Sequence, residues 1–185
     1  GLTEFGIEMI QEMERLGMIV DVSHLSDGGF WDVLHYTTQP FVASHSDAAS
    51  ECNVCRNLTD DMIRALAERG GVMGLNYCYG FLTESDKPTA LSTDTSIFMD
   101  AKKQTKKISR IEDMLRHIKH IVNIGGIEVC GLGSDFDGID NPVEFGNASG
   151  IQQLYEALVK SGFSEDDADK IFYKNVLRVY QDVLK

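Results

Sequence analysis

Short apolar runs alternate with amphipathic segments along nearly the whole chain. Four runs are rich in apolar and β-branched residues and are bounded by polar residues or glycine, a pattern typical of buried strands. The predicted strands are Met18–Ser23, Phe41–Ser44, Val72–Tyr77 and Ile127–Gly133. Since helices are predicted between them, the pattern indicates a parallel sheet with right-handed crossover connections in a single α/β domain, residues 1–185.

The amphipathic segments carry helix start and stop signals. Thr3 is the predicted N-cap of the first helix, whose apolar side chains recur at helical spacing until Gly17 ends it. Two predicted helices, 149–160 and 164–184, finish the chain. The other predicted N-caps are Ser26, Thr59, Ser109 and Ser164, the last two in capping boxes with Glu112 and Asp167.

A long polar stretch separates the third predicted strand from the helix that Ser109 begins. This stretch, Gly80–Lys107, is longer than a connection between a strand and a helix needs. Connections of this size are usually lids over a site or disordered segments, and both interpretations stay open here.

Side chains with metal-binding or acid–base chemistry follow three of the four predicted strands. The first and second strands lead into His24 and His45, each directly after a serine, and the fourth leads into Asp135. We expect these side chains at one rim, because the carboxyl ends of parallel strands meet at the same edge of a sheet. A single histidine there is more often a hydrogen-bonded rim residue, but two favour a shared metal ion such as zinc.

Two parallel α/β architectures place sites at strand ends, the open doubly wound fold and the closed (β/α)8 barrel. The chain has neither the G-x-G-x-x-G nor the G-x-x-x-x-G-K-[ST] sequence of nucleotide-binding folds. Functional side chains at several strand ends favour a barrel. A closed barrel, however, has eight strands and about 250 residues, whereas this chain has 185 residues and four predicted strands.

Charge and cysteine content limit the binding partners and the cellular compartment that we expect for the chain. The net charge of −12 at pH 7 disfavours binding to nucleic acid or to an anionic membrane. No apolar run approaches the roughly 18 to 20 residues of a membrane span. The four cysteines lack the spacing of a small disulfide framework, so we expect a reducing compartment, the cytoplasm.

Two further motifs have weaker claims to chemistry. Cys52-x-x-Cys55 matches a redox pair or half of a zinc motif, but no second C-x-x-C accompanies it. His117 and His120 are three residues apart within a predicted amphipathic helix, where packing or solvation is the more common role.

Several longer motifs occur together in one known family. They are Gly1–Gly6 (GLTEFG), Arg15–His24 (RLGMIVDVSH), Ser44–Ser46 (SHS), Arg56–Asn57, Gly131–Gly138 (GLGSDFDG) and the Asn175–Val179 tail. In this combination the chain resembles, over essentially its whole length, the renal or membrane dipeptidases. These are zinc metallopeptidases of the amidohydrolase superfamily.

The resemblance implies the C-terminal half, four βα units, of a (β/α)8 barrel of the metal-dependent hydrolase type, with two zinc ions in each complete active site. His24 and His45 match the family's metal ligands from the fifth and sixth strands. Arg56 matches the residue that binds the terminal carboxylate of a dipeptide substrate. Asp135 matches the acid after the eighth strand, which contacts the substrate amino group and handles protons.

These roles agree with the chemistry of the side chains. A guanidinium offers a planar fork matched to a carboxylate, although a surface ion pair is an equally common role for Arg56. A carboxylate beside a metal centre can carry a proton to a leaving amine, but the sequence that starts at Asp135 also suits a turn. Asp135 lies closer to the strand end than Asp137 and is therefore the better catalytic candidate.

The family pattern is matched only in part. The family's His-x-Asp pair on the first strand and its bridging glutamate have no counterpart among the matched motifs, since the chain resembles the family's second half. His24 and His45 supply only two ligands to one of the two metals. Two function classes stay open: a metallo-dipeptidase completed by an N-terminal half, or a non-catalytic half-barrel that acts through association or weak metal binding. In either case we expect the chain alone to be inactive, and to form a homo-oligomer or a complex with the other half.

Overall fold

In the computed structural model, which describes residues 1–83 and 107–184, three parallel strands form a sheet. The strands β1 (Val42–Ala43), β2 (Val72–Asn76) and β3 (Cys130–Ser134) lie side by side in chain order. Both strand pairs are parallel, and every residue of the central strand β2 is buried. The predicted α/β class and the parallel sheet are therefore confirmed.

The prediction that Met18–Ser23 forms a regular strand is wrong. A single bridge joins Asp21 to Val42, and two backbone hydrogen bonds of 2.8 and 3.0 Å connect the segment to β1. The ladder stops there because the carboxylate of Asp21, rather than a backbone carbonyl, accepts the next N–H groups, those of Ser23 and Ser44. The segment is extended and lies beside β1, but side-chain hydrogen bonds replace the ladder at its end.

The other predicted strands are shorter than expected or shifted along the chain. The second is reduced from Phe41–Ser44 to the two residues of β1. In the fourth, residues Ile127–Val129 form a 3₁₀ turn, and β3 starts at Cys130 and extends to Ser134. The third ends at Asn76, where a break in register separates this residue from the regular pairing with β3.

Helices pack around this sheet and, within the described residues, lie before, between and after the strands. They are α1 (Glu4–Arg15), α2 (Asp27–Tyr36), α3 (Asp60–Glu68), α4 (Tyr79–Leu82), α5 (Ile111–Gly125), α6 (Gln152–Lys160), α7 (Glu165–Asp169) and α8 (Asn175–Val183). A π-helical turn, Lys170–Lys174, joins α7 to α8, so the predicted last helix is continuous. None of the helices in the described ranges combines the length and hydropathy needed to cross a bilayer.

Most predicted helix starts are confirmed. The side chains of Thr3, Ser26 and Thr59 each accept a hydrogen bond from the backbone N–H three residues further on. Ser164 and Asp167 form the predicted reciprocal capping box. These starts were predictable because the capping partner lies within one helical turn of the cap.

The predicted capping box at Ser109 is wrong. Arg110 occupies the N-cap position of α5 and provides no side-chain cap. The Ser109 hydroxyl is buried and donates instead to the carbonyl oxygen of Tyr77 at 2.7 Å. A distant carboxylate, Glu144, accepts the N–H of Ile111 at 2.7 Å and so serves the helix N-terminus.

The predicted connection Gly80–Lys107 is described only at its ends. Residues 84–106 lie outside the described residues, so neither the lid nor the disordered interpretation is tested. At the start of this stretch the chain forms the short helix α4, which the sequence pattern did not predict.

The hydrophobic core lies between the sheet and helices α3 and α5. Met73 and Leu75 of β2 are fully buried against it, as are Leu66 of α3 and Ile118 of α5. A second, smaller cluster joins α8 to the opposite side of β2. Its buried members are Val72, Val179 and Val183. Helices on both faces hold the strand ends in a fixed arrangement at the rim.

Candidate functional site

The structure brings the two predicted metal-ligand histidines into contact. His24 follows the extended first segment and His45 follows β1, so both lie at the carboxyl ends of neighbouring parallel segments. Their Nε2 atoms are 2.9 Å apart, and their ring planes are tilted by 55°. This spacing is less than twice the zinc–nitrogen bond length of about 2.0–2.1 Å, so one ion can contact both nitrogens.

The electrostatic surroundings favour the neutral, metal-binding form of His24. Burial lowers the pKa of His24, and the positive charge of Arg56 adds to this effect. A neutral imidazole has one nitrogen lone pair available for a metal ion.

Hydrogen bonds to the ring Nδ1 and from the backbone N–H hold His45 in place. The Ser44 hydroxyl lies 2.7 Å from His45 Nδ1 and 2.5 Å from Asp21 Oδ2. The backbone N–H of His45 donates to Ser23 Oγ at 3.0 Å. Hydrogen bonds of this kind orient a ligand ring and select the nitrogen that faces the metal.

Two glycines allow the end of β1 to approach the neighbouring strands closely. A Cβ at Gly74 of β2 or at Gly133 of β3 would collide with the carbonyl oxygen of Ser44. The sequence places Ser44 and His45 at the rim, and these glycines make room for the backbone that carries them.

Arg56 lies beside the histidine pair. Its Nη2 atom is 3.5 Å from His24 Nε2 and 3.5 Å from the carbonyl oxygen of His45. The guanidinium lies over the Phe81 ring at 5.5 Å from the centroid, and burial lowers its pKa. The hydrogen bonds of Arg56 to described residues go to His24 and His45 and not to a carboxylate, although the charge of Asp135 acts on the guanidinium from a distance.

Asp135 reaches the same rim from β3. Ser134 and Asp135 adopt left-handed backbone conformations, with φ of 38° and 65°, which are uncommon for residues other than glycine. The side-chain amide of Asn76 donates to Asp135 Oδ2 at 3.1 Å and to the carbonyl oxygen of His45 at 3.4 Å. The predicted turn is also present, since the Asp135 carbonyl oxygen accepts the N–H of Gly138 at 2.9 Å. The backbone of Asp135 makes the turn while its carboxylate joins the site.

Sequence reasoning missed Asn76 and Asp47, which lie beneath the rim. Both are fully buried, and Asp47 Oδ1 accepts the backbone N–H of Asn76 at 2.9 Å. Burial raises the pKa of Asp47 well above its usual value. A signal existed for each: His45-Ser46-Asp47 has His-x-Asp spacing, and Asn76 is a polar residue at the end of an otherwise apolar run. Asp47 points inward to β2 and not to the histidine pair.

The weaker motifs have structural partners elsewhere. His117 is fully buried, and burial lowers its pKa to about 4. His120 lies 2.7 Å from Asp60, so the expected structural role of the two helix histidines is confirmed. The thiol of Cys52 is buried and lies 3.6 Å from the carbonyl oxygen of Gly80, whereas Cys55 is exposed.

The predicted metal ligands do not form a complete ligand set among the described residues. Nowhere in residues 1–83 and 107–184 do three or more His, Cys, Asp or Glu side chains lie close enough together to hold a metal ion. His24 and His45 provide two nitrogen ligands of the kind that zinc prefers. The residues present fit zinc as part of a ligand set.

Comparison with known proteins identifies relatives over the whole chain. A family model described as membrane dipeptidase (peptidase family M19) matches residues 1–185. An uncharacterized Klebsiella pneumoniae protein encoded in the pqqA 5′ region is 38% identical over 99% of this chain and 61% of its own length. An uncharacterized dipeptidase of Schizosaccharomyces pombe is 34% identical over 98% of this chain and 39% of its own length. The chain therefore spans only part of the curated relatives that it matches.

Solved structures show the same fold. A metallopeptidase of family M19, dipeptidase AC, superimposes with a TM-score of 0.83 and 31% identity, covering 99% of this chain and 49% of its own. A Rhodobacter sphaeroides metallopeptidase liganded with a phosphinate mimic of the dipeptide L-Ala-D-Ala gives the same TM-score of 0.83 and 31% identity, with 99% and 47% covered. The chain spans about half the length of these structures.

Proposed function

The chain belongs to the membrane dipeptidase family, peptidase family M19, and on that premise we propose that it carries half of the active site of a zinc-dependent dipeptidase. The observation that carries the proposal is the contact of His24 Nε2 with His45 Nε2 at 2.9 Å, with the Arg56 guanidinium 3.5 Å from His24. A metal-binding pair next to a fixed cation suits a substrate that has both a scissile amide and a free carboxylate.

His24 and His45 are the proposed ligands of one zinc ion. When bound, zinc lowers the pKa of a coordinated water and polarises a carbonyl group. Two zinc ions in the complete site would need further ligands, because the described residues offer only this histidine pair.

Arg56 is the proposed binding residue for the C-terminal carboxylate of the dipeptide. A guanidinium binds a carboxylate through two parallel N–H donors. The Nη2 atom of Arg56 makes only two contacts in the described structure, both at 3.5 Å, the upper limit of a hydrogen bond, so its N–H groups can still bind such a ligand. The Phe81 ring beneath the guanidinium fixes its plane.

Asp135 is the proposed binding residue for the substrate amino group and the residue that carries the proton to the leaving amine. The Asn76 amide holds Asp135 Oδ2, which leaves the other carboxylate oxygen available to a ligand. The negative charge of Asp135 at the rim also offsets the positive charge of Arg56. Without it, Arg56 would repel the amino group of the substrate.

Dipeptides are the proposed substrate class. The Rhodobacter sphaeroides relative, 31% identical, is liganded with a phosphinate mimic of L-Ala-D-Ala. Such a compound has an amino group, a tetrahedral centre and a carboxylate, the groups for which Asp135, the histidine pair and Arg56 are proposed. L-Ala-D-Ala is therefore the first substrate to assay.

We propose that residues 1–185 form a single domain, the C-terminal half of a (β/α)8 barrel with four βα units. The three strands and the extended segment 18–23 supply four parallel segments. Helices at both ends of the chain also leave apolar side chains uncovered. At the N-terminal end, Phe5 is 73% exposed and Met9 is 53% exposed. On the last helix the exposed apolar residues are Tyr173, Leu177, Tyr180 and Leu184, which follow helical spacing.

The second candidate function is a non-catalytic half-barrel that acts through association or weak metal binding. The incomplete ligand set among the described residues favours it. Exposed apolar stripes on the outer helices favour association under either function.

Light scattering and a zinc-supplemented L-Ala-D-Ala assay on the 185-residue chain test both candidates. We expect an associated species without turnover for the chain alone, and turnover after addition of a polypeptide that supplies the other half of the barrel. A monomer with ordinary turnover would contradict the half-site proposal. Association that never yields turnover with any such polypeptide would favour the non-catalytic function.

A further inference from the structure

We infer that Asp21, acting through Ser44, fixes the tautomer of His45 that leaves Nε2 free to bind a metal ion. The three residues form a continuous chain of short contacts that ends at the histidine pair. Asp21 and Ser44 are therefore positioning residues. The inference rests on the proposed metal site but has a readout of its own.

The first step is the direction of the hydrogen bond between Ser44 and Asp21. Asp21 Oδ1 accepts the backbone N–H groups of Ser23 and Ser44, each at 3.0 Å, and Oδ2 lies 2.5 Å from Ser44 Oγ. Partial desolvation of the carboxylate raises the pKa of Asp21, but these hydrogen bonds outweigh it and hold the pKa below its usual value. An ionised carboxylate can only accept, so the Ser44 hydroxyl must donate its proton to Asp21.

The second step is the direction of the hydrogen bond between Ser44 and His45. A hydroxyl has one proton, and the Ser44 hydroxyl already donates its proton to Asp21. Ser44 Oγ must therefore accept the hydrogen bond that joins it to His45 Nδ1, 2.7 Å away. Nδ1 then carries the imidazole proton, and in a neutral ring Nε2 is left with a lone pair. That nitrogen is the one that faces His24.

The two histidines differ in this respect. Among the described residues nothing forms a hydrogen bond to Nδ1 of His24, whereas Nδ1 of His45 is held by Ser44. His45 is thus ready to bind a metal ion without moving a proton, and His24 adjusts its tautomer when the ion binds.

The test reads the tautomer directly. In the metal-free, ¹⁵N-labelled 185-residue chain at pH 8, above the unperturbed histidine pKa of about 6.5, long-range ¹H–¹⁵N correlation spectra identify the protonated ring nitrogen. For the wild type we expect the proton on His45 Nδ1. In Asp21→Asn, the amide oxygen continues to accept the two backbone N–H groups, so the amide nitrogen faces Ser44. The freed Ser44 proton then goes to His45 Nδ1, and the imidazole proton appears on Nε2.

Zinc affinity provides the functional readout. We measure Zn²⁺ binding by competition with a chromophoric chelator and expect Asp21→Asn to weaken it about tenfold, the lower end of the 10- to 100-fold range for residues that orient a metal ligand. Ser44→Ala should also weaken it, and Ser44→Thr, which retains the hydroxyl, should restore the wild-type affinity and tautomer.

Asp60→Asn is the matched control. Asp60 accepts a hydrogen bond from Ser50 at 3.0 Å and contacts His120 at 2.7 Å, so the same substitution disturbs a different cluster of serine, aspartate and histidine, in which the aspartate contacts the histidine directly. It should change the His120 signals and leave the His45 tautomer and the zinc affinity unchanged.

Each result separates the inference from the proposed function. A proton on His45 Nε2 in the wild type, or an unchanged tautomer in folded Asp21→Asn, overturns the inference. If circular dichroism shows that Asp21→Asn is unfolded, Ser44→Ala is the deciding variant. In Ser44→Ala the proton of His45 should no longer be confined to Nδ1. A proton that remains on Nδ1 alone overturns the inference. If the expected tautomers are found but the wild type binds no zinc, the inference stands and the proposed metal site is wrong.

Discussion

Replacement of Arg56 by alanine would show whether its guanidinium recognises the carboxylate of a dipeptide. The guanidinium is half-buried, lies over Phe81 at 5.5 Å and has no carboxylate partner among the described residues. A substrate carboxylate would supply the missing partner. Hydrogen bonds to charged groups contribute about 1.5–3 kcal/mol each to binding.

This energy sets the size of the effect. Since 1.4 kcal/mol corresponds to tenfold, the loss of one such interaction should raise KM for L-Ala-D-Ala by about 10- to 150-fold in the assembled dipeptidase. For L-Ala-D-alaninamide, which has no carboxylate, KM is already high and should change little. Arg56→Lys keeps the charge without the planar fork and should give an intermediate KM for the dipeptide.

The comparison of the two substrates decides the role of Arg56. An equal loss on the dipeptide and on its amide would show that the residue does not recognise the carboxylate. Arg64→Ala is the control, because Arg64 forms an exposed ion pair with Asp61 on α3 and should leave both KM values unchanged.

Three further predictions concern the metal, the core and pH. His24→Ala or His45→Ala should each remove at least one zinc ion from the assembled protein, and unchanged metal in both variants by elemental analysis would refute the ligand assignment. Asn175→Ala should cost about 2–3 kcal/mol in urea unfolding, because the buried amide donates to two carbonyl oxygens that would lose their partner. Stability should fall as pH decreases from 6.5 to about 4, because the folded state keeps His117 neutral with a pKa of about 4 while the unfolded chain binds a proton. His117→Gln should flatten that part of the urea-midpoint profile, and an unchanged slope would contradict the assignment.

The features that the sequence predicted well depend on short stretches of chain. The caps at Thr3 and Ser26 were correct because each contacts a backbone N–H three residues away. The parallel sheet followed from apolar runs that alternate with helices, and the rim position of His24 and His45 followed from the ends of those runs.

The features that were missed depend on partners far away in the sequence. The Ser109 hydroxyl donates to the carbonyl oxygen of Tyr77, 32 residues earlier in the sequence. The N–H of Ile111, at the start of α5, donates to the carboxylate of Glu144, 33 residues later. Asn76 acquires its role from Asp135, 59 residues away. A local pattern contains no information about such contacts. It marks Asn76 as a polar residue at the end of an apolar run, but it identifies neither the partner of Asn76 nor the distant groups that replace the predicted cap.

The same geometry indicates where the rest of the proposed site would come from. His24 directly follows the segment 18–23, and among the described residues β1 is the parallel neighbour of that segment. In the proposed barrel, the next strand would lie along the free side of this segment and end beside His24, since neighbouring strands are about 4.7–4.9 Å apart. Its final side chains would face the exposed edge of the histidine pair. In the proposed barrel, further metal ligands are expected from the missing strands, while the loop after β1 supplies Arg56 and the end of β3 supplies Asp135, the residues proposed to hold the substrate.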